Sequence, residues 1–183
     1  MDLRIKRTRK SIKEAYSALR RKKPIEKISV TELSQLAGIN KATFYLHYSD
    51  IYALASEMED EAIDEILSET GVDHLFEAPS EHMEELFGKF LENRERLNLI
   101  FSGSRSALFA HKIEKGIKSR VYISFPEYRT AENDVLLTYM IQGSFHTISR
   151  LIESGTDRER AYALVMKLVT DAGSQLKKGT VDV

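Results

Sequence analysis

Residues 29–50, SVTELSQLAGINKATFYLHYSD, constrain the local structure more tightly than any other stretch of this chain. Ser29 stands three residues before Glu32, the spacing of a capping box, and Ile28 and Leu33 hold the two positions of a hydrophobic staple. Val30, Leu33, Leu36 and Ala37 line one side of a short helix. Gly38 then stops it by taking the left-handed conformation that other residues resist. Asn40 is suited to cap a second short helix, with Ile39 and Phe44 spaced for a second staple. Two short helices around a tight glycine turn present the second one rigidly, as proteins do when they enter the DNA major groove.

The side chains of that second helix fit such a role. No acidic residue occurs between Asn40 and Tyr48, whereas Lys41, Thr43, Tyr45, His47 and Tyr48 all carry groups that meet phosphate or base edges. Asn40, Lys41, Ala42 and Thr43 fall at the N-terminal end of the helix, from which bases are read. Leu46 is apolar where Phe44 already supplies the core, which suits contact with a thymine methyl. A helical hairpin in which Tyr45 and Tyr48 simply pack is the plain structural alternative.

Charge is unevenly distributed. The chain totals −1, yet residues 1–50 hold 12 Lys and Arg against 5 Asp and Glu, leaving a net −8 for the remainder. A basic head on an acidic body is the footprint of a nucleic-acid-binding region. Arg4, Lys6, Arg7, Arg9 and Lys10 read as a basic arm running into the first turn of a helix, able to follow phosphates or enter the minor groove.

The 183 residues suffice for one or two compact domains. No window is apolar and charge-free over the roughly 18 residues that a membrane span needs. The basic N-terminus has no apolar run behind it, so a cytoplasmic location without membrane association is expected. With no cysteine, disulfides and thiolate metal sites are excluded. The five histidines, His47, His74, His82, His111 and His146, are scattered, and no phosphate loop, nucleophile elbow or zinc-protease motif occurs. The expectation is therefore no enzyme, no metal and no cofactor.

Helical periodicity runs through the rest of the chain, and no strand pattern competes with it. Ile12, Ala15, Tyr16 and Leu19 mark a first helix ending before Pro24. Asp50 caps a long helix with Ile51, Leu54, Ala55, Met58, Ala62 and Ile66 on one face, ending near Gly71. After a connection from Gly71 to Pro79, Met83 through Leu97 predict one helix that ends at Phe101 to Ser104. Leu108, Ile113, Ile117 and Val121 predict the next, ending before Pro126. The segment from Ala131 to Ser154 is apolar around most of its circumference, which predicts burial on several sides. A final helix from Asp157 to about Lys178 carries Ala161, Leu164, Val165, Leu168, Val169, Ala172 and Leu176 as one stripe.

Residues 5–65 resemble the DNA-binding domain of the TetR family of bacterial transcription regulators. The resemblance is carried by Ile28-Ser29-Val30, Leu33, Ala37-Gly38-Ile39, Lys41, Thr43-Phe44-Tyr45, His47-Tyr48 and Leu54, and by GINKATFYLHYSDIYAL as a whole. It implies that Ser29 touches phosphate, that Lys41, Thr43, Tyr45 and His47 touch backbone and bases, and that Tyr48 replaces a core aromatic. The family often has a lysine just after the cap of the next helix, where this chain runs Ser49-Asp50-Ile51. Its last two helices pair with their mates as a four-helix bundle. YMIQGSFHTISRLIESG resembles the first of these in a subgroup with a short C-terminal domain, with Leu151 in place of a frequent tryptophan. Gly143 and Ser144 there form a small-residue pair that allows close helix approach.

The resulting expectation is an all-α chain: a basic arm over residues 1–4, a three-helix helix-turn-helix domain over 5–65, and a helical effector-binding and dimerisation domain over 66–183. The expected DNA-contacting residues are Ser29, Asn40, Lys41, Ala42, Thr43, Tyr45, Leu46 and His47. The resemblance implies a homodimeric repressor on a palindromic double-stranded operator, released by a small-molecule effector. That effector is expected among Phe87, Phe90, Phe101, Tyr122, Tyr139, Gln142 and His146, with Arg105 a further candidate, in an apolar pocket with a few polar groups. A protein-interaction adaptor or coactivator that keeps the fold, with weak or no specific DNA binding, is the alternative.

Overall fold

The computed structural model describes residues 3–72, 75, 78–154 and 158–179. Among the described residues the regular structure is helical and no strand occurs. The helices are α1 Leu3–Arg20, α2 Val30–Leu36, α3 Lys41–Tyr45, α4 Ile51–Thr70, α5 Pro79–Glu92, α6 Arg94–Ile100, α7 Leu108–Ser124, α8 Ala131–Ser154 and α9 Arg158–Gly173. His74 and the side chains of Leu151 and Ala161 lie outside the described residues.

The chain divides into two compact units, Met1–Ala62 with Asn93–Ala107, and Ile63–Glu92 with Leu108–Val183. In the first unit, Ile12, Ala15, Tyr16 and Leu19 of α1 pack with Ile25, Ile28, Leu33, Phe44, Tyr48, Ile51, Leu54 and Ala55. Both staples contribute, since Ile28, Leu33 and Phe44 are buried and Ile39 packs against them. Gly38 has φ +68°, and Gly71, just past the end of α4, has φ +66°. Both take the left-handed conformation that only glycine adopts without penalty.

A second set of interactions in this unit is polar. Glu59 of α4 is 0 % exposed. Its two carboxylate oxygens accept from Arg105 Nε and Nη2, each at 2.6 Å. Arg20 of α1, also buried, donates to the carbonyls of Leu99 and Ser102 at 3.4 and 3.2 Å and to the Ser102 hydroxyl. The segment Asn93–Ala107 is thus held by buried Arg20 and part-buried Arg105 as well as by α6 packing on α1. Burial pushes the Tyr16 phenol up to about 12, against the opposing pull of Arg20. That hydroxyl meets no partner at hydrogen-bond geometry.

In the second unit, Met140 and Ile148 of α8 meet Val165, Met166 and Val169 of α9, with Met83, Phe87, Tyr162 and Ala172 alongside. Asn133 donates to the carbonyls of Tyr128 and Lys177 at 2.8 and 2.7 Å and accepts from the Lys177 amide at 3.1 Å.

Four expectations need correction. The single helix expected from Met83 to Phe101 is interrupted at Asn93, which lies at φ −93° and ψ 6° between α5 and α6. The first helix begins at Leu3, so Arg4, expected in the arm, already lies in its first turn. The last helix stops at Gly173, not Lys178. Beyond it the backbone tightens into i→i+3 bonds at Gln175 and Leu176, and Asn133 captures Lys177. Finally, α8 is not buried on several sides within one chain, because Val135 and Tyr139 are exposed.

Candidate nucleic-acid interface

Residues 29–48 form two short helices whose ends are fixed by their own side chains. The Ser29 hydroxyl accepts from the Glu32 amide at 3.2 Å, and Asn40 Oδ1 accepts from the Thr43 amide at 2.7 Å. The capping box is half formed, because the Glu32 carboxylate pairs with Lys23 instead of turning back to the Ser29 amide. Ile39 N–H donates to Ser34 O at 3.0 Å across the Gly38 turn, which closes α2 against the start of α3. Asp50 caps α4, accepting from the Ala53 amide at 2.7 Å.

Phe44 is completely buried and Tyr48 nearly so, which fixes the face that α3 turns to solvent. That face carries Asn40, Lys41, Ala42 and Tyr45, all exposed, with Thr43 and His47 half-buried. Leu46, at the C-terminal cap of α3, is 82 % exposed. Ser29 is exposed at the start of α2. The chain therefore gathers the eight residues expected at DNA on α3 and its flanks and at the N-terminus of α2. Tyr45 is no packing residue, although its ring edge meets Phe44 at 5.6 Å. Tyr48, by contrast, belongs to the core.

Behind α3 lies a cluster that the sequence reading missed. The Tyr48 hydroxyl donates to Glu57 Oε1 at 2.8 Å, and Lys13 Nζ lies 2.8 Å from the same oxygen. Arg9 pairs with Glu57 Oε2, and its guanidinium carbon sits 5.4 Å from the centre of the Tyr48 ring. Lys13 also reaches Glu61 at 2.5 and 2.6 Å. Burial acts upward on Glu57, but the hydrogen bonds from Lys13, Tyr48 and Arg9 outweigh it and hold the carboxyl below its usual range. Burial, followed by the bond to Glu57, raises Tyr48. The i, i+4 spacing of Arg9 and Lys13 and of Glu57 and Glu61 was the available signal. Lys6, Arg9, Lys10, Lys13 and Arg21 line an open cleft along α1.

The expected effector residues are not brought together. Phe87 and Phe90 line a cavity of about 40 Å³ with Met83, Leu86, Ile113, Ile117, Ile141 and Phe145. That is far below the roughly 300–1,000 Å³ of ligand sites. Phe101 and Arg105 belong to the other unit. The Tyr122 hydroxyl donates to Asp134 at 3.1 Å, and the Gln142 amide to Glu114 at 2.7 Å. Glu114 is pulled down to about 2, burial being outweighed by hydrogen bonds from Gln142, Lys118 and Thr138. Tyr139 lines a separate groove, and His146 is exposed with its ring edge against Phe145. Among the described residues no His, Asp and Glu cluster could hold a metal ion, and no helix is long and apolar enough to cross a membrane.

Comparison with protein-family models, with curated proteins and with solved structures finds no match to this chain.

Proposed function

We propose that this chain is a sequence-specific DNA-binding transcription regulator of the TetR type, working as a homodimeric repressor released by a small-molecule effector. One observation carries the reading. Between Asn40 and His47, a short helix anchored by buried Phe44 exposes lysine, hydroxyl and apolar groups with no acidic residue among them. Such a face pairs phosphate donors with groups able to reach base edges.

Support for the dimer comes from α8 and α9. Tyr139, Met140, Gly143, Thr147, Leu164, Leu168 and their neighbours line a largely apolar groove of about 290 Å³. A Cβ at Gly143 would meet nothing within 4 Å among the described residues. Glycine inside a helix costs about 1 kcal/mol relative to alanine, so intrachain packing gives no reason for it. Close approach of a second copy does.

Repressor release is the family's implication. The unit boundary falls within α4, between Ala62 and Ile63, so one helix belongs to both units. An effector acting on the second unit would have that continuous element through which to oppose DNA binding. The apolar walls around Phe87 and Phe90 favour an apolar effector, provided the cavity expands.

The adaptor reading has one specific observation in its favour, the exposure of Leu36, Tyr45 and Leu46 near α3. Selection of duplexes from a randomised pool separates the two. A regulator enriches a two-fold-symmetric sequence, whereas an adaptor enriches none and binds DNA only weakly and salt-sensitively. With an enriched duplex in hand, Lys41→Ala and Tyr45→Ala should each weaken binding by about 1–3 kcal/mol while leaving helical content intact. Unchanged affinity in both variants would reject α3 as the reader.

A further inference from the structure

We propose that Glu57 is a positioning residue that ties the C-terminal end of α3 to α1, and so sets the angle at which the exposed face of α3 is presented. The inference rests on the reading of α3 as the DNA-contacting helix.

α3 has only five residues, Lys41–Tyr45, so its own hydrogen bonds do little to define an axis. Its start is fixed by the Asn40 cap and its middle by buried Phe44. Its end depends on Tyr48, whose amide bonds to the Phe44 carbonyl at 3.0 Å. Tyr48 in turn gives its hydroxyl to Glu57 at 2.8 Å. Glu57 is the only carboxylate contacted by Tyr48, Arg9 and Lys13 together among the described contacts. It joins the turn after α3 and the helix α1 through α4.

The cluster is built in two layers. Arg9 lies over the Tyr48 ring while pairing with the carboxylate that the Tyr48 hydroxyl also reaches, so ring and hydroxyl are both fixed. Lys13 bridges Glu57 and Glu61, which holds the Glu57 carboxylate from the α1 side. Loss of the Glu57 charge would break the Arg9 ion pair, leave Lys13 to Glu61 alone and weaken the acceptor of the Tyr48 hydroxyl from a carboxylate to a neutral oxygen, without emptying any volume. Loose attachment at the end of α3 would leave phosphate attraction untouched and degrade base reading, because direct readout needs side chains held at fixed places in the groove.

The test compares the unmutated chain with Glu57→Gln and Tyr48→Phe, measuring affinity for the enriched duplex and for a scrambled duplex of equal length. Glu57→Gln should lose about tenfold in affinity for the enriched duplex, the scale of a hydrogen bond to a charged group. Affinity for the scrambled duplex should stay equal or rise, since a negative charge is removed beside Arg9 and Lys13. Tyr48→Phe, which keeps the ring, should shift the same ratio in the same direction and by less. It decides the matter if Glu57→Gln does not fold. Amide hydrogen exchange supplies a readout that needs no DNA: residues 44–48 should exchange faster in Glu57→Gln while residues 30–36 stay as they were. Equal losses on both duplexes, or an unchanged ratio in a folded variant, would overturn the proposal. Should the unmutated chain enrich no duplex, the DNA reading falls, and faster exchange confined to 44–48 would still uphold the tie made by Glu57, its absence overturning it.

Discussion

Replacing Arg105 by methionine probes the most deeply buried charge pair of the first unit. Glu59 is 0 % exposed, whereas the Arg105 side chain keeps 14 % of its surface. The two meet as a fork, both N···O distances being 2.6 Å. Removal of one partner of a buried pair typically costs about 3–5 kcal/mol, because the other charge is left without compensation. The two halves of this pair should not cost the same. Arg105→Met takes the guanidinium fork from a carboxylate that stays fully buried inside α4, so a loss of about 3–5 kcal/mol is expected. Glu59→Met strands a guanidinium that can turn its exposed edge to water, so about 2 kcal/mol is expected. The double substitution puts apolar side chains of similar length in place of both charges, and should fall within about 2 kcal/mol of the unmutated chain. A coupling of about 3 kcal/mol or more would follow from the cycle. The chain has no tryptophan, so urea unfolding should be followed by circular dichroism, with amide exchange in α1, α6 and residues 51–62 reporting the first unit separately. Equal single losses that add in the double variant would refute this account, since they would mean that the two charges do not depend on each other.

Two further outcomes follow from burial. Leu168→Asp, at a position 46 % exposed on the α8–α9 groove, should dissociate the proposed dimer while leaving each chain folded, whereas Val165→Asp should unfold the chain, because Val165 is 6 % exposed within its own core. Sedimentation and circular dichroism read the two effects apart, and a stable monomer for the unmutated chain at micromolar concentration would defeat the proposed dimer. Tyr16→Phe should leave stability unchanged or raise it by up to about 1 kcal/mol, since a buried hydroxyl without a partner is removed. The raised Tyr16 pKa also fixes a sign: its contribution is complete below pH 10 and is lost as pH rises toward about 12. Tyr16→Phe should flatten that alkaline loss in urea titrations repeated from pH 9 to 12.

Much of this molecule could be read from residues only a few positions apart. The Ser29 and Asn40 caps, the Gly38 turn, the stripe on α4 and the bounds of α8 depend on chemistry within one or two helical turns, and sequence patterns carry that directly. The α3 face was legible for the same reason: a helix with one buried aromatic leaves its other residues outward, whichever neighbour covers the aromatic. Decisions that join distant residues were not legible. Glu59 and Arg105 stand 46 positions apart, and Arg20 and Ser102 stand 82 apart. Nothing local marks Glu59 as the one acidic residue of α4 that turns fully inward. The apolar pattern from Met83 to Leu97 is compatible with one helix or two. The break at Asn93 coincides with the point where the chain passes into the other compact unit. Likewise the stripe of α9 would continue to Leu176 on periodicity alone, but Gly173 lies where a Cβ would come 3.1 Å from Pro79, and Asn133, 44 residues before Lys177, takes over its backbone bonds. Local propensity thus decided where helices begin and which faces are apolar. Which charges are buried and where helices yield were decided by tertiary packing, because each depends on a desolvated partner that only the folded chain brings near.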